Sequence, residues 1–284
     1  MSVNNKPSVL IVGCGLIGTS LALAWRKADA ASKIDGLDID EGHRLSAIAM
    51  GAFAQTWSTW PNCHYDVVVL ATPVDTACAH LVVAAEVGTV VMDVCSVKQP
   101  ICNVAMEAGL GARYAPTHPM SGLASGGPLF ARADLFVDRP FIVLQNFPSV
   151  TSVLPLIVAT GARLEWLPSA TVHDQAMASV SHVVHLASLA VMNAYQNASN
   201  AHSAHWHRLT GPGFRDVTRL SASPSDFWVS TLQANAAAVV PQIDRVIDSL
   251  CAFRSALAAD DTVALRAQLD KARHSFEAWR EEQP

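Results

Sequence analysis

SVLIVGCGLIGTSLALAW, residues Ser8 to Trp25, reads as a buried strand, a tight turn and a helix in immediate succession. Val9–Val12 is a run of β-branched and aliphatic residues long enough for one buried strand. The chain then turns on Gly13-Cys14-Gly15-Leu16-Ile17-Gly18 and enters the helix formers of Thr19–Trp25. In a G-x-G-x-x-G so placed, Gly13 permits the turn, Gly15 lets the backbone reach a pyrophosphate and Gly18 lets the helix pack closely on the strand. The free N–H groups of the first helical turn, Leu16 and Ile17 among them, face the phosphates. A second apolar segment, Ile34–Asp38, ends in a carboxylate 20 residues beyond Gly18, where an acid accepts the ribose hydroxyls. Asp38 in place of an arginine favours NAD over NADP, because it repels a 2′-phosphate. Asp40 takes the same role if the strand ends later.

With 284 residues there is room for one large or two ordinary domains. Apolar residues make up 51% and charged residues only 15%, more apolar material than a loosely built soluble monomer needs. No run approaches the ~18 uninterrupted apolar residues of a membrane span, so the surplus is expected at a subunit interface. Met1–Pro7 is short and polar, with no signal-peptide pattern. The cysteines (Cys14, Cys63, Cys78, Cys95, Cys102 and Cys251) form no C-x-x-C pair, so reduced thiols and a cytoplasmic protein are expected. Cys95 is expected to be a small packing residue. A formal charge of −5 and no basic stripe speak against nucleic acid. An anionic substrate would need a locally basic pocket.

Strands and helices alternate through the first half, the pattern of a Rossmann-type, doubly wound parallel sheet. Strands are expected at Asp66–Ala71, Val87–Val94, Ala112–Pro116, Pro140–Leu144 and Ala162–Leu167, with a short helix around Arg44–Met50. Ligands bind beyond the carboxyl ends of such strands. There Thr72-Pro73, Ser96-Val97-Lys98 and His118 converge on one crevice with the glycines. Composition changes near Pro168, giving an α/β domain over 1–168 and an all-α domain over 169–284. Val172–Asn197 is a candidate buried helix, followed by a polar loop to about Pro212. Ile243, Val246, Leu250, Phe253 and Leu257 step by three and four, as do Leu265, Leu269, Ala272, Phe276 and Trp279. Joined around Asp260-Asp261, these seams predict an antiparallel helical hairpin, with Pro241 kinking or beginning its helix. Helices this apolar are expected to pair with a second copy.

Several segments together resemble the prephenate/arogenate dehydrogenase family of tyrosine biosynthesis. They are Gly13–Ser20 (GCGLIGTS), Ala71–Val74 (ATPV), Asp93–Lys98 (DVCSVK), Thr117–Gly122 (THPMSG), His173-Asp174, Ser181–His185 (SHVVH) and Gly213–Arg219 (GFRDVTR), with Trp228. The resemblance covers Ser8 to Trp228, and the two seams fit the family's dimerisation region. It implies an NAD-dependent oxidative decarboxylation of a cyclohexadienol, prephenate or arogenate, by a homodimer. Such an enzyme needs a base, a positioned nicotinamide and clamps for two carboxylates.

By this resemblance His118 is the catalytic histidine, accepting a hydrogen bond from the substrate's 4-hydroxyl, and Ser96 orients it. Arg219 binds the ring carboxylate, which a planar guanidinium can grip at two points. His185 is a second substrate-facing histidine. Arg215 and Asp216 either form an ion pair that holds Arg219 or are a solvated helix start. Trp228 either lines the pocket or belongs to the core. His173-Asp174 and His182 are expected behind the site or at a domain contact. Gly13, Gly15, Leu16, Ile17, Gly18, Asp38, Thr72, Pro73 and Ser96 are the cofactor residues.

Many prephenate-type relatives carry an acid two positions after the glycine of the HPM-x-G segment, where this chain has Ala124. The choice between a pyruvyl and an alanyl side chain therefore stays open. No regulatory ACT domain or mutase is expected after Pro284, and any tyrosine feedback is expected at the active site. A relative acting on 4-amino-4-deoxyprephenate, or a non-catalytic NAD-binding protein, are the alternatives. His182-x-x-His185 and His202-x-x-His205-x-His207 have no cysteine or acid at ligand spacing, so no metal is expected.

Overall fold

The computed structural model describes residues 6–123, 126–198 and 205–282. The chain divides into two compact units, Met1–Ala236 and Ala237–Pro284.

The first unit is built on an eight-stranded sheet of order β3-β2-β1-β4-β5-β6-β7-β8. Its elements begin with β1 (Ser8–Val12), α1 (Leu16–Lys27), β2 (Lys33–Leu37), α2 (Glu41–Ala49) and β3 (Gln55–Trp57). They continue with β4 (Tyr65–Leu70), α3 (Val74–Val87), β5 (Gly88–Asp93), α4 (Gln99–Glu107) and β6 (Tyr114–Pro119). β7 (Pro140–Leu144), α5 (Val150–Ala159) and β8 (Arg163–Leu167) complete the sheet. The central strands are nearly continuous apolar runs because helices cover both faces. α1 and α5 are tied where Trp25 Nε1 donates to the carbonyl of Leu156 at 2.7 Å. β1 lies between β2 and β4, parallel to both. The chain leaves β1 in one direction and returns on the other side, and that reversal opens a crevice at the carboxyl ends.

The sheet departs from the parallel expectation in one place. β6 pairs antiparallel with β7, setting His118 opposite Ile142. Among its described residues, the connection between β6 and β7 contains no α-helix to carry the chain back across the sheet. β7 therefore starts at the end where β6 finished. β6 also runs to Pro119 rather than stopping at Pro116, so His118 is a strand residue. β3 is an edge strand of three residues, too short to show a period in the sequence.

Ser169 begins the helical part, its hydroxyl accepting from the backbone N–H of Val172. The long helix expected over Val172–Asn197 is α6 (Ala170–Met177), a π-helical turn (Ala178–His182) and α7 (Val183–Ala198). Among the described residues this is the one helix long and apolar enough to cross a membrane. Its buried His173, Asp174 and His182 all hydrogen-bond within the unit, as in a core helix. A 3-10 turn (Trp206–Leu209), α8 (Pro212–Thr218), a second 3-10 turn (Arg219–Ala222) and α9 (Ser225–Ala234) follow. The compact units part at Ala236, well beyond the composition change near Pro168. Hydrogen bonds from the loop after β5 to Asp174, and from Asn235 to Asp174, hold α6 to α9 with the sheet.

The second unit is a hairpin of α10 (Ala236–Ala258) and α11 (Thr262–Glu281). Asp261 caps α11 by accepting from the N–H of Ala264 at 2.9 Å. Gln268 Nε2 donates to the carbonyl of Ala252 at 3.2 Å, which makes the two helices antiparallel about the bend. Pro241 lies inside α10 and does not begin it. Leu250, Leu257, Leu269, Phe276 and Trp279 are each more than half exposed in the single chain.

Candidate active site

The glycine turn is sterically forced at two of its three glycines. Gly13 has φ +103°, and a Cβ there would stand 2.5 Å from the carbonyl oxygen of Ala71. A Cβ on Gly18 would meet the Gly13 oxygen at 2.0 Å. At Gly15 a Cβ would touch nothing within 4 Å, so the space above that backbone is open to a ligand. Leu16 and Ile17 open α1 with no side-chain cap and no acid in the first turn. That leaves N–H groups and a partial positive charge for a phosphate.

Asp38 is locked beside the turn. Its Oδ2 accepts from the N–H of Cys14 at 2.8 Å and its Oδ1 from that of Asp40 at 2.9 Å. Asp40 instead caps α2, accepting from the N–H of His43 at 2.7 Å, which leaves Asp38 as the acid beside the glycine turn. The Thr72 hydroxyl is buried without a partner, and its methyl lies 3.2 Å from the Cβ position of Gly13. Pro73 is the residue before α3. An open Gly15, an uncapped helix and an orphaned hydroxyl on one lip fit a dinucleotide. Gly15→Ala is expected to keep the melting temperature yet weaken NAD about tenfold or more, the cost of one charged hydrogen bond. Gly18→Ala is expected to destabilise the fold by about 1–3 kcal/mol. Thermal melts beside calorimetric NAD titrations check both, and equal NAD affinity for wild type and Gly15→Ala contradicts the cradle.

Beyond the carboxyl ends of β5 and β6, polar side chains close into a buried network. His118 Nδ1 lies 3.0 Å from His173 Nε2, and His173 Nδ1 lies 2.7 Å from Asp174 Oδ1. Asp174 accepts from the backbone N–H groups of Lys98 and Gln99, both at 2.8 Å, and so caps α4 from a distant helix. Lys98 is fully buried, paired with Asp93 and donating to the carbonyl of Thr117 at 2.6 Å. Asn235 Nδ2 donates to the Asp174 carbonyl at 2.8 Å and lies 3.1 Å from His182 Nδ1. Burial first, then His173, Lys98 and His182, hold His118 well below the ordinary histidine range. Burial likewise lowers His173 and His185, and brings His182 down to about 4.

These depressed values have a sign in stability. Each ring stays neutral when folded but takes a proton when unfolded below its ordinary value of 6.5. Stability is whole above that value and lost as the pH falls below it. His182 alone is expected to cost about 2 kcal/mol near pH ~5. Melting temperature should therefore fall steeply between about pH 7 and 5, and a flat profile would contradict the buried neutral rings.

The π-helical turn sets the phase of the next histidine. At ~100° per residue, His173 and His185 would stand about 120° apart around a regular helix. The one extra residue absorbed by a π-turn brings them within about 20°. His185 is buried, its Nδ1 has no partner, and its ring stacks on Trp228 with centroids 3.7 Å apart and planes 8° apart. Trp228 also meets His182 edge-on at 6.0 Å, so its ring joins this histidine wall. Ser221 in the turn Arg219–Ala222 donates to the carbonyl of Ser188 on α7 at 3.3 Å, and that bond places Arg219. Arg219 is exposed and makes no ion pair with a described residue. Neither do Arg215 and Asp216, which form the solvated helix start. Among the described residues no hydrogen bond joins Arg219 to His118.

One expectation changes, and three further residues belong beside the site. Ser96 makes no hydrogen bond to a described residue, so the partner that orients His118 is His173. Lys98 and Asp93, quoted only as parts of a motif, are the buried ion pair beneath the histidines. Ser121, whose hydroxyl is buried without a partner beside the THPMSG strand end, carried no signal beyond its neighbours. Cys95 is a packing residue, its thiol pushed well up by burial. His205 and His207 are exposed, and His202 and Ala124 lie outside the described residues. Among the described residues no three potential ligands gather around a metal position.

Comparison with known proteins bears on both halves. The model of the prephenate dehydrogenase nucleotide-binding domain matches residues 21–164, and that of the prephenate dehydrogenase dimerization domain matches residues 169–271. A prephenate dehydrogenase of Bacillus subtilis is 26% identical over 90% of this chain and 71% of its own length. A cyclohexadienyl dehydrogenase of Zymomonas mobilis is 26% identical over 89% of each chain. The crystal structure of prephenate dehydrogenase from A. aeolicus with hydroxyphenyl propionate and NAD+ superposes with a TM-score of 0.88 at 22% identity. It covers 98% of this chain and 99% of that one.

Proposed function

The chain belongs to the prephenate dehydrogenase family, and on that premise we propose that it catalyses NAD-dependent oxidative decarboxylation of prephenate, arogenate or both. The observation that carries this reading is the state of His118: its Nδ1 is engaged at 3.0 Å by His173, and its Nε2 bonds to no described residue. A buried, neutral imidazole with a free nitrogen beyond the carboxyl end of the sheet is a base for a substrate hydroxyl.

Gly15, the start of α1 and Asp38 would hold NAD, which would supply the hydride acceptor when bound. His118 Nε2 takes the hydroxyl proton as the carbinol carbon loses its hydride. Arg219 grips the ring carboxylate, and the stacked pair of His185 and Trp228 walls the ring. Aromatisation then drives loss of that carboxylate as CO2, a step that asks for no acid from the protein. Ser96 lies on the loop between Asp93 and α4, at the rim of the same crevice.

The active form is a homodimer through the helical region, supported by the dimerization-domain match and by the exposed apolar seams of α10 and α11. All six thiols are free, in keeping with a reducing cytoplasm. The test is NADH formation from prephenate and from arogenate, each with NAD and NADP in parallel. Turnover of at least one diene with NAD preferred is expected. No turnover of either overturns the reading, and a strong preference for NADP removes the role given to Asp38.

A further inference from the structure

We infer that His118 works as half of a two-histidine base, in which His173 and Asp174 are positioning residues that set its tautomer and receive its charge. This rests on the reading of His118 as the base.

The tautomers follow from a chain of donors. Asp174 accepts backbone N–H groups on both carboxylate oxygens, from Lys98 at Oδ1 and Gln99 at Oδ2. It does so at the start of α4, where a helix favours an anion. An ionised carboxylate only accepts, so the 2.7 Å bond to His173 requires the proton on His173 Nδ1. Neutral His173 then has its lone pair on Nε2, and the 3.0 Å bond requires the proton on His118 Nδ1. The lone pair of His118 is thereby fixed on Nε2, the nitrogen left free for substrate. Without His173 the ring could equally carry its proton on Nε2 and accept nothing there.

The same geometry moves the charge. The substrate O–H bond breaks and its proton joins His118 Nε2, while the carbinol hydride leaves with two electrons for the nicotinamide and C=O forms. The Nδ1 proton of His118 then crosses to His173 Nε2. His118 ends neutral, and His173 ends as an imidazolium against the Asp174 carboxylate. The buried Lys98 ammonium would oppose a cation here, but it is paired with Asp93.

The tautomer can be read in the unmodified holoenzyme by nitrogen-15 NMR of labelled histidines, with His118→Asn supplying the assignment. A protonated Nδ1 and unprotonated Nε2 on His118 are expected; a protonated Nε2 overturns the inference. This readout uses no substrate, so it stands apart from any failure to turn over a diene. Kinetics of the variants add a second arm. His173→Phe is expected to lower kcat about 100-fold with KM little changed. His173→Gln, whose carbonyl can still accept from His118 Nδ1, should recover about tenfold of that loss. Solvent-isotope proton inventories should be curved for wild type, with two protons in motion, and linear for His173→Gln. A wild-type kcat in His173→Phe, or a linear wild-type inventory on a rate-limiting chemical step, overturns it.

Discussion

Replacing His118 by asparagine is expected to lower kcat about 100- to 10,000-fold while leaving the affinity for NAD unchanged. The asparagine amide can still donate to His173 Nε2, replacing the 3.0 Å bond, so the network behind it survives. What disappears is an acceptor for the hydroxyl proton. The pH dependence sharpens the expectation. His118 is competent when neutral, and burial with its cationic surroundings holds it neutral well below the ordinary value of 6.5. The acid limb of kcat should therefore lie well under that value, with activity falling only as pH drops through the depressed one. Steady-state rates over pH and a fluorescence titration of NAD decide it. An unchanged kcat removes His118 as the base.

Arg219→Ala is expected to raise KM about 10- to 100-fold with a smaller change in kcat, the cost of a lost charge-assisted pair. Arg219 is exposed and has no ion pair with a described residue, so its guanidinium is available to a ligand and its removal orphans no carboxylate. The melting temperature should be preserved for the same reason. Arg219→Lys keeps the charge but not the planar two-point grip, so its KM should fall between the two. A KM equal to wild type in the alanine variant would take the ring carboxylate away from this residue.

The nucleotide half was legible because its determinants are local. Gly18 is required by its close approach to the Gly13 carbonyl within the same turn, and the apolar runs declare buried strands, whereas the contact of Gly13 with Ala71 belongs to the folded sheet. The antiparallel β7 was not legible, because strand direction depends on how a connection without a helix crosses space. Ser96 and His173 show the same limit in the site. The Ser96 hydroxyl bonds to no described residue, and the His118 ring bonds to His173, 55 residues away in sequence.

The amino-acid order by itself determined the glycine turn, the acid at Asp38 and the helical hairpin, since each follows from spacing along the chain. Tertiary structure alone decided which nitrogen of His118 is free. That choice runs through His173 to Asp174, which caps a helix 75 residues away in sequence. Hydrogen bonds between distant segments are selected by the need to satisfy buried polar groups once the core has packed.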